Sequence, residues 1–346
     1  MNFDLSDDQS ELRKVARSFL ASRCPTTEVR RLETDPLGYA PELWAEMAAM
    51  GWVGMALPEG GGDLIDLAVV FEELGRAVCP TPMFSTIALG ALLLADVDRL
   101  PPGVHEGTTV IGTALVDVPD DALVAEVSGT TARVSGTVPF AYDVEGADLL
   151  VLDAGGVVVL ADAQSPSIQA SRLASISNDR LFELRLDAVE GEVIGDSADV
   201  VGPSLARATA LRCVELVGVM DRALEMAAEY ARTRVQFGKP LGSFQAVQHR
   251  LADMLLDLEA ARLVAYRSVW ALTGDPGAQR EVSIAKAWIS DACQRLAFGA
   301  QQVHGGVGVD LDYDLQLYFR RAKALELELG SAPQHRERVA ATIGLR

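Results

Sequence analysis

The sequence is poor in positive charge. Its 346 residues carry 30 Lys and Arg against 49 Asp and Glu, a formal net charge of −19. Binding a nucleic-acid backbone needs basic patches that displace counterions, so this balance argues against a nucleic-acid partner. Cysteine is sparse as well: Cys24, Cys79, Cys213 and Cys293 lie far apart with no CxxC pair, and read as reduced core residues of a cytoplasmic protein. His105, His249, His304 and His335 have no metal-ligand spacing, so no metal site is expected. Long apolar runs are missing. The most apolar stretch, Ile87 to Val97, is far too short to span a bilayer. The opening residues MNFDLSDDQSELRK place acids where a signal peptide needs a basic segment and an apolar run, so no targeting segment is expected.

The length exceeds one compact core, which points to two or three domains. With 49% hydrophobic and 23% charged residues, the chain is globular and not disordered. The first hundred residues have helical texture. Ser6 and Gln9 form a capping box, and Leu12, Val15, Ala16, Phe19 and Leu20 make one apolar face. Further helices are predicted over Pro41–Met50, Asp66–Val78 and Ser85–Leu94, with Gly60-Gly61-Gly62 breaking the chain between them.

From about Thr108 to Val193 the texture changes to TTVIGTALV, TTARVSGTV, ADLLVLDA, GGVVVLAD and LFELRL, short β-branched runs between turn residues. From Pro203 the helical period returns: Val247, Leu251, Met254, Leu255, Leu258, Ala261, Ala265 and Val269 step by threes and fours, and further segments follow at Arg280–Val303, Leu315–Leu329 and His335–Ile343. The predicted class is α+β, mostly α. An N-terminal helical domain (1–105) precedes a middle β-barrel domain (106–197) and a C-terminal four-helix bundle (198–346).

Two segments of the bundle are specific. YARTRVQFGKPLGSFQAVQHRLADM (Tyr230 to Met254) and QQVHGGVGVDLDYDLQLYFRRAKAL (Gln301 to Leu325) resemble the two signature segments of acyl-CoA dehydrogenases, and the interval from Arg234 to Gln302 suits that family. The residue types have a physical rationale. Arg234 offers a fixed fork of donors suited to a pyrophosphate. Phe237 supplies a flat apolar surface for an adenine. Gln302 can hydrogen-bond a cofactor, while Gly305 and Gly306 permit close backbone approach, although glycine is also the natural residue beyond a helix end. By the resemblance, Arg234, Gln236, Phe237, Gln245, Gln302, Gly305 and Gly306 bind FAD, and specifically the FAD whose flavin sits on a neighbouring subunit.

The resemblance also marks losses. Family members remove the α-proton of an acyl-CoA with a glutamate while the β-hydrogen leaves as hydride to the flavin. The position of that glutamate is Leu329 here, before Gly330-Ser331, and the alternative base position of a minority of members is Ala208, with Thr209 where an arginine is expected. No catalytic residue is therefore assigned to this chain. Glu326 and Glu328 are expected to be solvated surface carboxylates. The family's Thr-Glu-Pro segment ending in Gly-Ser-Asp is replaced by TALVDVPDDALVAEVSG, its Trp-Ile-Thr strand by Phe140-Ala141-Tyr142, and its glutamine after the base by Pro333. The groups acting on a neighbour's FAD are kept, while those acting on the chain's own flavin and substrate are lost.

This pattern resembles the short, base-less subunit of heteromeric acyl-CoA dehydrogenases of bacterial steroid side-chain degradation, in which two unlike chains form a tetramer. The resemblance implies a cytoplasmic, non-catalytic subunit sharing FAD with a full-length paralogue that carries the glutamate. It further implies an acyl-CoA substrate at the complex and an electron-transfer flavoprotein as acceptor. A homomeric flavoenzyme with an atypical base such as Glu328, and a flavin-free scaffold or acyl-CoA-binding protein, are the alternatives.

Overall fold

Ser6 opens the first helix as predicted. Its hydroxyl accepts from the Gln9 amide, the Gln9 side chain accepts from the Ser6 amide, and α1 runs over Asp7–Arg23. The computed structural model of the chain describes residues 4–177 and 179–345. Next come α2 (Thr26–Glu33), α3 (Pro41–Ala49) with proline in its first turn, and α4 (Leu64–Ala77). The helix expected at Ser85–Leu94 is split: a π-helical segment, Met83–Ala91, leads into α5 (Leu92–Asp96). Every residue of the π segment is buried, which suits a run that is apolar on all sides.

Seven strands follow: β1 (Ile111–Ala114), β2 (Leu123–Ser128), β3 (Thr131–Tyr142), β4 (Leu149–Ala154), β5 (Val157–Asp162), β6 (Ile168–Arg172) and β7 (Leu181–Asp196). The sheet order is β2-β3-β1-β4-β5-β7-β6, and β3 also pairs with β7. The second pairing closes β3-β1-β4-β5-β7 into a ring, which leaves those five strands without open edges. Alternation along β3 sends Ala132, Val134 and Val138 into the same core as Leu150, Val159 and Phe182.

The bundle begins with α6 (Ser197–Thr233), followed by a hairpin of β8 (Val235–Gln236) and β9 (Lys239–Pro240). It continues through α7 (Gln245–Ala271), α8 (Ala278–His304), a 3-10 turn at Gly305–Val309, α9 (Leu315–Leu327) and α10 (Ala332–Thr342). The helical, strand and helical order is the expected one. On α7, Met254, Leu258, Ala261, Ala265 and Val269 are buried as predicted, but Leu255 is exposed. It shares that exposure with Leu256, Leu263 and Trp270 on α7 and with Trp288 and Phe298 on α8.

By compactness the chain forms two units. One joins Met1–Val29, Ala68–Cys79 and Thr209–Arg346, and the other joins Arg30–Leu67 and Pro80–Ala208. Within the first unit, α4 and α6 meet backbone to backbone. A Cβ on Gly75 would lie 1.9 Å from the Glu215 carbonyl oxygen, and one on Gly218 would lie 1.8 Å from that of Glu72. The buried carboxylates beside this crossing are all answered. Arg17 donates to both oxygens of Glu73 at 2.9 and 2.7 Å, and the Tyr266 hydroxyl donates to Glu72 at 2.6 Å.

A methyl group at position 218 has nowhere to go except into backbone. Gly218→Ala is expected to lower unfolding free energy by about 3 kcal/mol, the upper end of ordinary overpacking, because no flexible side chain can yield. Urea unfolding of the purified chain measures it, and a change below about 0.5 kcal/mol would show that the helices separate freely.

Candidate functional site

The last turn of α6 ends at Arg234, whose amide donates to the Tyr230 carbonyl, and whose own carbonyl accepts from Leu241 at 2.8 Å. The hairpin between them turns on Phe237 (φ +53°) and Gly238 (φ +79°). Two left-handed residues in sequence suit a two-residue hairpin, but asparagine or glycine would satisfy that geometry with less strain than phenylalanine. Phe237 is also 89% exposed, with only an edge contact to Phe244 at 6.2 Å. Strain and exposure together mark a residue kept for something other than folding.

After the hairpin a 3-10 turn, Leu241–Ser243, leads to Gln245 at the start of α7, and Gln302 lies in the last turn of α8. Gly305 ends α8 in a left-handed conformation (φ +63°), and Gly306 follows. A Cβ at either glycine would meet nothing within 4 Å. The ends of α6 and α8 are joined where the Tyr230 and His304 rings stack at 4.6 Å. All seven sequence-predicted cofactor residues, Arg234, Gln236, Phe237, Gln245, Gln302, Gly305 and Gly306, are thus exposed at one end of the bundle. One supporting feature escaped the sequence reading. From Tyr230 to Ala252 the chain holds Arg232, Arg234, Lys239 and Arg250 and no carboxylate, a local reversal in a chain of net charge −19.

The base positions lie elsewhere. Leu329 is buried and left-handed (φ +62°), and its carbonyl accepts from His335 Nε2 at 3.0 Å. Ala208 and Thr209 are buried on α6. Tyr142, at the end of β3, is buried edge-on against Phe84 at 5.3 Å. Pro333 sits in the first turn of α10, behind a capping box of Ser331 and Gln334, where a missing N–H costs nothing.

The expectation for Glu326 and Glu328 is corrected. Neither is a solvated surface group. Glu326 pairs with Lys323 at 2.7 Å, and its side chain is 14% exposed. Glu328, 10% exposed at its side chain, is gripped by Arg212 at 2.8 Å. Arg212 also donates to Glu215, which accepts from Arg321 in turn. Burial pushes the Glu215 carboxyl up, but the guanidiniums of Arg212 and Arg321 more than offset it and hold it below the usual carboxylate range. Lys286, buried on α8, donates to the Leu325 and Glu326 carbonyls at the end of α9. The turn where a base would stand is therefore anchored by ion pairs. A carboxylate already engaged by a buried guanidinium is a poor proton acceptor.

These two regions are far apart on one rigid element. Arg212 and Arg234 are about six turns apart on α6, or about 33 Å at 1.5 Å per residue. The exposed residues around Arg234 and the Glu328-Leu329 turn of the same chain do not converge on one point.

Comparison with known proteins bears on these features. Residues 6–96 match the model for the acyl-CoA dehydrogenase N-terminal domain, and residues 199–344 match that for the C-terminal domain. The chain is 30% identical to the acyl-CoA dehydrogenase FadE27 of Mycobacterium tuberculosis, with 98% of each chain covered. Two solved structures superpose along its length. A variant of the Tcur3481-Tcur3483 steroid ACAD matches with TM-score 0.90 and 32% identity, covering 97% of this chain and 98% of that one. The ChsE4-ChsE5 complex from Mycobacterium tuberculosis contains a chain matching with TM-score 0.91 and 29% identity, covering 99% of both. Among the described residues no helix is long and apolar enough to cross a membrane.

Two measurements test the anchored turn. Replacing Glu328 by glutamine leaves the buried Arg212 short of one charged partner, and is expected to lower stability by about 1–3 kcal/mol in urea. No loss would mean that Glu328 is free. The second concerns His335, whose pKa burial pushes down to about 4. Because the folded value lies below the unfolded one, the unfolded chain takes up the proton first, so this contribution is intact above about pH 6.5 and is lost as pH falls toward 4. Between pH 7 and pH 5, wild type should lose about 2 kcal/mol more than His335→Gln. Equal losses in the two proteins would place the imidazole in water.

Proposed function

The chain belongs to the acyl-CoA dehydrogenase family, and from that premise we propose that it is the non-catalytic subunit of a heteromeric, FAD-dependent acyl-CoA dehydrogenase. Its task is to complete the FAD site of a full-length partner subunit that carries the catalytic glutamate. One observation carries this reading: the residues expected to hold FAD are exposed around Arg234, while the emptied base turn is tied to Arg212, about 33 Å back along α6.

The exposed end fits FAD chemically. Arg234 would bind the pyrophosphate through its planar fork, Phe237 would lie against the adenine, and Gln236, Gln245 and Gln302 would supply neutral hydrogen bonds. Gly305 and Gly306 leave open space for a close approach. The carboxylate-free run around Arg234 favours an anionic ligand. FAD, when bound, supplies the hydride acceptor for α,β-desaturation of an acyl-CoA. The residues this family uses on its own flavin and substrate do not fit that role here. Tyr142 is packed on Phe84, and Leu329 has no group that accepts a proton. In our reading the α-proton of the thioester goes to the partner's glutamate, while this chain holds and orients the cofactor from the outside.

The likeness to a chain of the ChsE4-ChsE5 complex and to a steroid ACAD supports a heteromer and a steroid side chain as acyl group. A cytoplasmic location, an electron-transfer flavoprotein as acceptor, and the division into 1–105, 106–197 and 198–346 belong to the same proposal.

Flavin stoichiometry is the decisive experiment. A tetramer of two such chains and two partners can assemble two complete FAD sites, each with the partner's flavin loops and this chain's Arg234 and Gln302. Flavin absorbance per mass of purified complex, with its native molecular weight, should give about two FAD per tetramer. Four would mean that this chain also seats a flavin of its own, and would overturn the proposal.

A further inference from the structure

His304 ends α8 immediately before the glycine pair, and it is 3% exposed. Its Nδ1 lies 2.8 Å from the Ala300 carbonyl, one turn back. A carbonyl only accepts, so Nδ1 carries the proton and adds a second, side-chain bond to a carbonyl of its own helix. Nε2 is then a bare acceptor, buried and without a hydrogen-bond partner among the described residues. Burial lowers the pKa of this ring, which favours its neutral form.

Two tyrosines pack against the ring. Tyr230 of α6 stacks on it at 4.6 Å with 29° between planes, and Tyr313, just ahead of α9, leans on it at 5.4 Å. Tyr230 is one turn before Arg234, and its carbonyl holds the Arg234 amide at 2.8 Å. The turn after His304 closes back on the same residue: a Cβ on Gly308 would lie 3.0 Å from His304 Cβ. The Gly308 carbonyl accepts from the side chains of Gln316 and Gln301. The inner side of the 3-10 turn is therefore fully held, while Gly305 and Gly306 on its outer side face open space.

We propose that His304 is the positioning residue of the cofactor edge: its imidazole, stacked on Tyr230 and met at a tilt by Tyr313, ties the turn that carries Gly305 and Gly306 to the end of α6 that leads into Arg234. This rests on the reading above that the edge binds FAD. A leucine would fill the space, but it would neither bond the Ala300 carbonyl nor offer Tyr230 a flat face. The imidazole itself is buried and makes no contact with cofactor, so its effect is transmitted through the backbone of the glycine turn and through Tyr230.

The test uses His304→Ala, His304→Phe and Tyr313→Leu. In the full chain alone, hydrogen exchange of peptides covering 230–241 and 301–309 should rise about tenfold in His304→Ala and stay within about threefold of wild type in His304→Phe, which keeps the stack. In the complex with the full-length partner, flavin fluorescence on dilution should report FAD held about tenfold more weakly by His304→Ala, and within about threefold of wild type by His304→Phe. A lower melting temperature with neither effect would make His304 an ordinary core residue and overturn the proposal. Should His304→Ala not fold, Tyr313→Leu decides: faster exchange at 301–309 with weaker FAD retention supports the clamp, and unchanged values overturn it. Arg234→Ala separates the two readings. If it too leaves FAD retention unchanged, the cofactor assignment of this end fails, and the exchange data still judge the clamp.

Discussion

A helix does not stretch, and α6 sets the length scale of this molecule. Its 37 residues span about 55 Å, and beyond Pro203 the rise is held by i to i−4 hydrogen bonds. α4 is pinned to it through Gly75 and Gly218, where backbones touch. α9 is pinned through Arg212, and α8 through the stack of Tyr230 on His304. Whatever is attached near Arg212 and whatever is attached near Arg234 therefore keep their separation. Two pieces of one reaction centre held that far apart can meet only by drawing on a second subunit, and in the proposal it is Leu329 at the base position that makes that subunit an unlike chain.

The turn at 328–330 shows how a site can lose its chemistry without losing its frame. Leu329 keeps a left-handed backbone that disfavours a side chain of its size, and the strain is held by neighbours: His335 on its carbonyl and Lys286 on the two carbonyls before the turn. Glu328 contributes to the same frame through Arg212. Breaking a buried pair leaves a buried charge uncompensated, so such residues persist once installed, whether or not a reaction depends on them. Two adjacent residues thus have different fates. The one that would face chemistry is apolar, and the one that holds the backbone stays charged.

Much of this was legible in the sequence, for identifiable reasons. The helix start at Ser6 was readable because a capping box is a local code, and the strand region because β-branched runs between turn residues are one too. The family was readable because its two signature segments are contiguous. Longer-range features were not. Arg212 and Glu328 are distant in sequence, and the helix predicted over Leu315–Leu329 runs through Glu328, where a turn of about 100° per residue would carry its side chain away from Leu329. In fact α9 stops at Leu327, and Glu328 has extended backbone (φ −60°, ψ 141°), so the rotation of 100° per residue no longer applies. The π-helical turn at Met83–Ala91 was also invisible, because periodicity cannot be read in a run with no polar face. Leu255 was assigned to the buried face of α7 because spacing identifies apolar stripes without telling which stripe meets this chain.

That ambiguity leads back to the hairpin. A single chain folding for its own sake would put asparagine or glycine at position 237 and polar residues along the outer stripe of α7. This chain instead keeps a strained, exposed phenylalanine, together with Leu256, Leu263, Trp270 and Trp288 in water. Each exposed apolar side chain taken singly needs no explanation, but a series of them on the same pair of helices, beside a carboxylate-free basic segment, does. The apolar series suits contact with another protein surface, and the basic segment suits an anion. FAD lying across a subunit boundary requires both at once, an apolar seam to close the boundary and cations to meet the pyrophosphate. The surface around Arg234 is therefore better understood as one side of a site than as an unfinished fold.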